Sequence, residues 1–448
     1  MVGDKGARLK EWLASGEASL HPATLTQREL WDVAPLPASD VSNHICTVTT
    51  IRGPVSRDTC VRAMALVVAK QEVLRISVLP GKGGQVQLVR RTGEPALEFL
   101  ELEPDERGDE ALDRVIVGLM RRTMDMVAGP LYRLHVLRRG EEEHLLVLVI
   151  HHAIADGWTL GVFMTDLWTA YAQLGLGIPG ALEPVPQTYI RWGAAERAYW
   201  TPQEIRARAE FWRERMAGAG RLWDAPAGAG GDTGERGRRV WEMPMEAFGD
   251  LKVLAGRLGA TLFSAALAVF QIVMARESGR TDIVVGSPVA GRNRRESRET
   301  MGSYAGIVPL RARVDAGLSF GGQLARTHEM TVESFANAMP FVELVAVLEE
   351  PVIPGRNPLF DTRFALQNHP MPEVSLPGVE VSYRTRSTGT ARFDLACELT
   401  EIGRVMEVVW LYRKDVFEDG QVAAFHHAFA GLMAAVCQHP DAPISDLP

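Results

Sequence analysis

The segment from His144 to Trp158 constrains the fold more than any other. His144–Ile150 is almost entirely Leu, Val and Ile, and a strand of that composition is buried on both faces. The chain must therefore build a sheet with material on either side. The apolar run stops at His151-His152 and gives way to Ala153-Ile154-Ala155-Asp156-Gly157-Trp158. Beyond Gly157, the spacing of Trp158, Val162, Phe163, Leu167 and Tyr171 predicts a helix to about Leu174. Two imidazoles, a carboxylate and a glycine are thus held where a strand meets a helix, a place where side chains stand rigidly beside a cavity.

That set suits acyl transfer. A histidine can accept a proton from an incoming nucleophile near neutral pH. An aspartate can fix the loop or an imidazole, and backbone N–H groups can meet a developing oxyanion. His426-His427 is a second pair, but it falls inside an amphipathic run, Gly420–Cys437, with no Asp-Gly after it, and reads as structural. Neighbouring histidines rarely converge on one ion and no other ligand cluster accompanies them, so no metal is expected.

The surrounding chain alternates strands and helices. Cys46–Ile51 and Leu131–Leu137 read as strands, the latter separated from the buried strand by Arg139-Gly140-Glu141; Ser56 caps a predicted helix through Lys70. Gly175–Gly180, followed by Pro184 and Pro186, is the best linker. After it come an apolar helix over Thr261–Arg276, strands at Asp282–Ser287 and Ile307–Val314, and Pro-rich loops or edge strands at Pro351–Pro358 and Pro370–Pro377. At 448 residues the chain is long enough for about three domains or two large lobes. The class is α/β or mixed α+β in two lobes.

Composition removes several alternatives. The net charge is −8 with no basic block, which argues against a nucleic-acid groove. Only six of the 48 basic residues are Lys, so the arginine excess reads as codon bias rather than a phosphate-binding design. Cys46, Cys60, Cys397 and Cys437 form no CxxC pair, and reduced thiols are expected. Ala225–Gly237 is Gly-rich enough to be a mobile loop, but it lacks the Gly-Lys-Ser/Thr ending of a phosphate loop. The N-terminus has no apolar core of a secretory signal, and the longest apolar runs are strand-length. A soluble, cytoplasmic protein is the expectation.

His151–Trp158 (HHAIADGW) matches the HHxxxDG core of the condensation domains of nonribosomal peptide synthetases, relatives of chloramphenicol acetyltransferase, and the chain resembles that family over almost its full length. Leu25-Thr26-Gln27-Arg28-Glu29-Leu30-Trp31 is similar to the family's first motif. Gln71-Glu72-Val73-Leu74-Arg75 resembles RHExLR, with Lys70-Gln71 in place of Arg-His, and Thr188–Trp192 is a degenerate fourth motif. Met301–Arg311 occupies the fifth, with Gly306-Ile307-Val308-Pro309 where the family has Val-Asn-Thr. The sixth keeps Pro340-Phe341 but has Asn337 for the usual His. Arg356-Asn357-Pro358-Leu359-Phe360 matches the seventh; Phe364–Asn368 and Arg392-Phe393-Asp394-Leu395 are similar to later segments. Plant-type acyltransferases carry a DFGWG motif that is absent here, and heterocyclization domains replace both histidines.

The resemblance implies two chloramphenicol-acetyltransferase-like lobes, about 1–178 and 179–448, arranged as a V around a central tunnel. His152 would stand at its centre, a floor loop near Gly291–Gly302 and a latch near Gln367–Arg392 crossing from the second lobe. His152 is expected to orient or deprotonate the acceptor, while His151 would be mainly structural. Asp156 forms a buried salt bridge, with Arg292 ahead of Arg75 as its partner; Gly157, before the helix, leaves space for the ligand, and Trp158 supports the site. The enzyme would bind no cofactor of its own: phosphopantetheine arrives on partner carrier proteins, donor and acceptor. The expected reaction is amide formation from a carrier-bound thioester. Ester formation or chain release onto an alcohol or small amine is the alternative, followed by a non-catalytic docking module. A monomer or a part of a megasynthase is expected.

Overall fold

The computed structural model describes residues 2–33, 35, 40–223, 236–351, 356–367, 371–374, 376–386 and 393–448. Most of the Gly-rich stretch at 225–237, part of the Pro-rich segments, Asn368 and Arg392 lie outside these. The fold is mixed α/β with three sheets.

The first sheet has five strands in the order Glu380–Arg386, His44–Arg52, Glu143–His151, Tyr132–Arg138, Leu97–Glu101. Only the last pairing is parallel. The Leu/Val/Ile strand is its centre, and Leu145–Ile150 is buried throughout. The helices Arg57–Lys70 and Gly157–Gly175 pack on it, capped by the side chains of Ser56 and Asp156. A smaller antiparallel sheet joins Ala18–Pro22, Gly84–Arg90 and Ile76–Gly81.

The third sheet, of six strands, runs Gly306–Arg313, Asp282–Val289, Thr362–Gln367, Leu395–Ile402, Val405–Arg413, Arg236–Pro244. Leu262–Ser278, buried almost all round, lies against it with Met245–Arg257, Phe320–Ala336 and Asp419–Gln438. This last helix is long and apolar enough by composition to cross a membrane, a feature that the expectation of strand-length apolar runs passed over. Its Val422, Phe425, Phe429, Leu432 and Val436 are buried in the protein core.

Two main hydrophobic clusters result. One is built from Leu30 to Ala170 and takes in Tyr189, Met301 and Tyr304; the other spans Trp212 to Leu447 and takes in Leu25 and Val33. Each half thus lends residues to the other's core. Glu380–Arg386 goes further: it comes from the second half yet forms the edge of the first half's sheet, pairing with His44–Arg52 from Glu380↔Arg52 to Arg386↔Cys46. Its sequence, EVSYRTR, has the alternation of an edge strand but was expected only as part of a crossing segment.

Candidate active site

The HHxxxDG loop is clamped by backbone and side chain. His151 lies opposite His44 at the end of the strand pair, and the His152 N–H donates to the Asn43 carbonyl at 2.6 Å. The Ile154 N–H donates back to the His151 carbonyl at 3.0 Å, and Ala153, Ile154 and Ala155 are fully buried. From the far side, Gln27 Nε2 donates to the Ala153 carbonyl at 2.7 Å and to Gln87 Oε1 at 3.0 Å. Gln27 sits in the first motif, so that motif's role here is to fix the histidine loop.

The two imidazoles have different surroundings. His151 is buried, and its Nδ1 accepts the Ala153 N–H at 3.0 Å, which leaves Nε2 to carry the ring proton. Its ring meets His44 edge-on, with centroids 5.7 Å apart. His44 in turn places Nδ1 3.0 Å from the Met120 carbonyl, and burial lowers its pKa. His151 is therefore packed toward the core, whereas His152 is partly exposed.

Asp156 is 2% exposed and accepts hydrogen bonds from three segments. Arg292 Nη2 lies 3.0 Å from Oδ1 and 3.2 Å from Oδ2; the Thr159 N–H and Oγ1 reach Oδ1 at 2.9 and 2.8 Å; the Tyr304 N–H reaches Oδ2 at 3.1 Å. Asp156 is also the N-cap of the helix. Arg292 Nη1 donates to the carbonyls of Ser297 and Thr300, and its guanidinium stacks 4.0 Å from the Tyr304 ring centre. The segment from Gly291 to Tyr304 is thereby fastened to the first half. Thr159 Oγ1 bonds both the carbonyl and the N–H of Gly302, and Trp158 Nε1 donates to the Arg298 carbonyl at 3.0 Å. Two glycines make the segment's path possible. A Cβ at Gly291 (φ +64°) would lie 2.0 Å from the Tyr304 carbonyl oxygen, and one at Gly302 would lie 2.3 Å from the Tyr189 ring.

Two expectations need correction. Arg75 is not near Asp156: its guanidinium donates to the carbonyls of Val68, Ala69, Arg90 and Arg91 and ties the helix Arg57–Lys70 to a neighbouring strand. Gly157 does not precede the helix but is its first residue, Asp156 being the cap; a helical φ suits any residue, so what glycine supplies there is the missing side chain. Trp158 bonds the crossing segment at Arg298 and lies against the Arg292 guanidinium, in keeping with a supporting place.

The other motif residues divide between joining the halves and supporting the fold. Lys70 Nζ and Gln71 Nε2 both bond Asp166 at 2.7 Å, and Gln71 also holds the Glu299 carbonyl and the Met301 N–H. Tyr189, fully buried, links Thr24 to the Ser303 carbonyl. Asn337 caps Phe320–Ala336, and its carbonyl takes the Trp212 Nε1 proton. Arg356, Asp361, Asp394 and Arg413 form a buried ion network inside the second half. The seventh motif is thus scaffold. Asn43, Gln27, Thr159 and Tyr304 were not among the site residues expected from sequence. Asp156-x-x-Thr159 is a capping signal that pointed to Thr159; Asn43 has no sequence signal at all.

Comparison with known proteins agrees with this architecture. A family model described as the condensation domain matches residues 18–448. A linear gramicidin synthase polypeptide of Brevibacillus parabrevis is 29% identical over 436 residues, which cover 95% of this chain and 6% of that protein. Phosphinothricin tripeptide synthetase PhsC of Streptomyces viridochromogenes is 29% identical over 436 residues, covering 95% of this chain and 40% of that protein. The chain therefore spans less than half the length of these curated relatives. The condensation domain from the monacolin K polyketide synthase MokA shares the fold with a TM-score of 0.84 at 17% identity, covering 95% of this chain and 99% of that one. On the family match across nearly its whole length, the chain belongs to the condensation-domain family.

Proposed function

We propose that this chain transfers an acyl or peptidyl group from a carrier-protein thioester to an acceptor amine, forming an amide bond in peptide or hybrid peptide–polyketide assembly. The observation that carries the reading is the division of labour in the histidine pair. His151 is spent on the loop's own backbone and the core, while the partly exposed His152 directly follows a rigid strand in the short loop that leads to the helix cap Asp156. One similar protein is a tripeptide synthetase by name, which favours an amine acceptor.

In this reading the acceptor nitrogen attacks the thioester carbonyl carbon and the C–N bond forms. His152 orients that nitrogen and takes its proton as the bond develops. The N–H groups of Gly157 and Trp158 open the helix, where no carbonyl of the helix reaches them, and the positive end of the helix dipole favours negative charge on the carbonyl oxygen. The C–S bond then breaks, the electron pair leaves with the carrier's pantetheine sulfur, and the proton returns to it. Asp156 and Arg292 act on this step only by position. They hold the crossing segment against the helix start.

The departures of the fifth and sixth motifs from the family pattern, which would motivate an alcohol acceptor, fall on scaffold. Gly306-Ile307-Val308-Pro309 opens a strand at the edge of the six-stranded sheet, and Asn337 is a helix cap. The test is intact-mass measurement of a carrier loaded with a donor acyl group, offered amines and alcohols in parallel. Donor loss with an amide product supports the proposal. An ester product alone redirects it to the alcohol acceptor, and no enzyme-dependent loss with any acceptor overturns it.

A further inference from the structure

One face of the six-stranded sheet is covered by helices and the other opposes the first half. Trp241 stacks on His426 of Asp419–Gln438, centroids 4.2 Å apart, so it marks the helix-covered face. Residues alternate along a strand, and Arg236, Arg238 and Val240 therefore point the other way. There Val240 meets Ala396, Val409 and Leu411 in a small cluster separate from the main core. Charges of the first half reach this face. Arg238 feels Glu407 and Glu398 of its own sheet, Arg386 on the edge strand Glu380–Arg386 and Asp113 on the helix Asp109–Met120; Arg236 feels Arg413, Asp394 and Asp415 and, from the first half, Asp40. Arg386 is opposite Cys46, two positions along the strand from His44, the partner of His151.

The other arginines in this region are matched. Arg386 pairs with Asp113, Arg363 with Glu398, and Arg413 with Asp394 and Asp415. Arg236 and Arg238 differ: among the described residues neither forms a salt bridge. Arg236 is 9% exposed, and its Nε and Nη1 are buried without a hydrogen-bond partner, as is Nε of the half-buried Arg238. Arg236 also lies directly across from Arg413 in the strand register, a like-charge pairing that costs stability. Burial first, then Arg413, lowers the Arg236 pKa to about 10, which leaves it charged near neutral pH. Asp394, Asp415 and Asp40 act on Arg236 electrostatically without bonding it, and buried guanidinium donors left without a hydrogen-bond partner are expensive to hold. Two guanidinium groups two residues apart on one face of one strand are placed to offer donors to one oxyanion.

We propose that Arg236 and Arg238 form a receptor for an anionic group, a carboxylate or a phosphate, carried by a substrate held between the two halves. The proposal rests on the acyl-transfer reading only for the names of its two sources: a carboxylate on the acyl or acceptor portion, or the phosphate of the carrier's arm.

Calorimetric binding of two probe pairs to the full chain separates these sources: 4′-phosphopantetheine against pantetheine, and N-acetylglycine against its amide. The charged member of one pair should bind about tenfold or more tightly than its neutral counterpart, as charge-assisted hydrogen bonds require. Arg236→Met and Arg238→Met should each erode that preference and leave neutral-probe binding unchanged. The pair that shows the preference identifies the source. Arg236→Met should also unfold at the same or a higher temperature, because it relieves repulsion from Arg413; a structural ion-pair arginine would lower it. The proposal is overturned if neither charged probe binds better than its neutral partner, if the preference survives both substitutions, or if Arg236→Met lowers the melting temperature. None of these outcomes depends on turnover, so loss of the acyl-transfer reading would leave the result standing.

Discussion

Asp156 caps a helix, neutralises Arg292 and accepts the Tyr304 N–H with a single carboxylate. Its removal leaves a guanidinium that is itself buried, with 1% side-chain exposure, whose Nη1 reaches carbonyls but whose Nε has no partner and whose charge nothing balances. Stranding one member of a buried pair costs about 3–5 kcal/mol. Asp156→Ala should therefore lower the melting temperature strongly, read by calorimetry, while Arg75→Ala should leave the Gly291–Tyr304 attachment intact. The motif and the ordering of Arg292 ahead of Arg75 were legible because Arg292 follows a core strand, Asp282–Val289, that ends near the cleft. The guanidinium of Arg75 was misplaced for a physical reason. Sequence shows that an arginine is present but not whether carbonyls or a carboxylate satisfy it, and here four carbonyls do.

The elements that join the halves were harder to read than those that build each half. Long apolar or strongly periodic segments, such as Glu143–His151, Gly157–Gly175 and Leu262–Ser278, carry their burial in their composition. The joining pieces do not. Glu380–Arg386 is polar because it is an edge, and Tyr189–Tyr199 is a short helix whose few buried side chains include Tyr189. That helix holds a titrating contact. Glu196 Oε2 accepts the Leu25 N–H at 2.9 Å, and burial raises its pKa from 4.5 to about 7. A carboxyl whose folded pKa is raised binds more protons folded than unfolded between these values. Stability contributed there falls as pH rises from about 4.5 to about 7. Glu196→Gln keeps an acceptor for Leu25 and removes the charge. It should raise stability above neutral pH, by about 1–3 kcal/mol, and flatten the pH dependence of denaturant midpoints; an unchanged slope would place the titration elsewhere.

Across the whole molecule, the halves are tied in several places, among them a path beside the motif: Gln71 to Glu299 and Met301, Thr159 to Gly302, Asp156 to Arg292 and Tyr304. The path fastens the start of the motif helix while His152 stays partly exposed, and in the proposed reaction the donor reaches it on a carrier's flexible arm. A donor tethered to a carrier gains an effective concentration of about a millimolar. The same acyl group on a short pantetheine analogue should therefore show a much higher KM and a lower kcat/KM; equal values would assign the chain to small-molecule acyl transfer. Everything proposed for the reaction turns on His152 orienting or deprotonating the acceptor while His151 serves the fold. Single-turnover transfer from a carrier-loaded donor to an amine, followed by intact mass for the wild type and His152→Ala, separates these roles. The rate should fall by about 10²–10⁴-fold with an unchanged melting temperature. Near-full transfer by a folded His152→Ala protein across the neutral pH range would contradict that assignment.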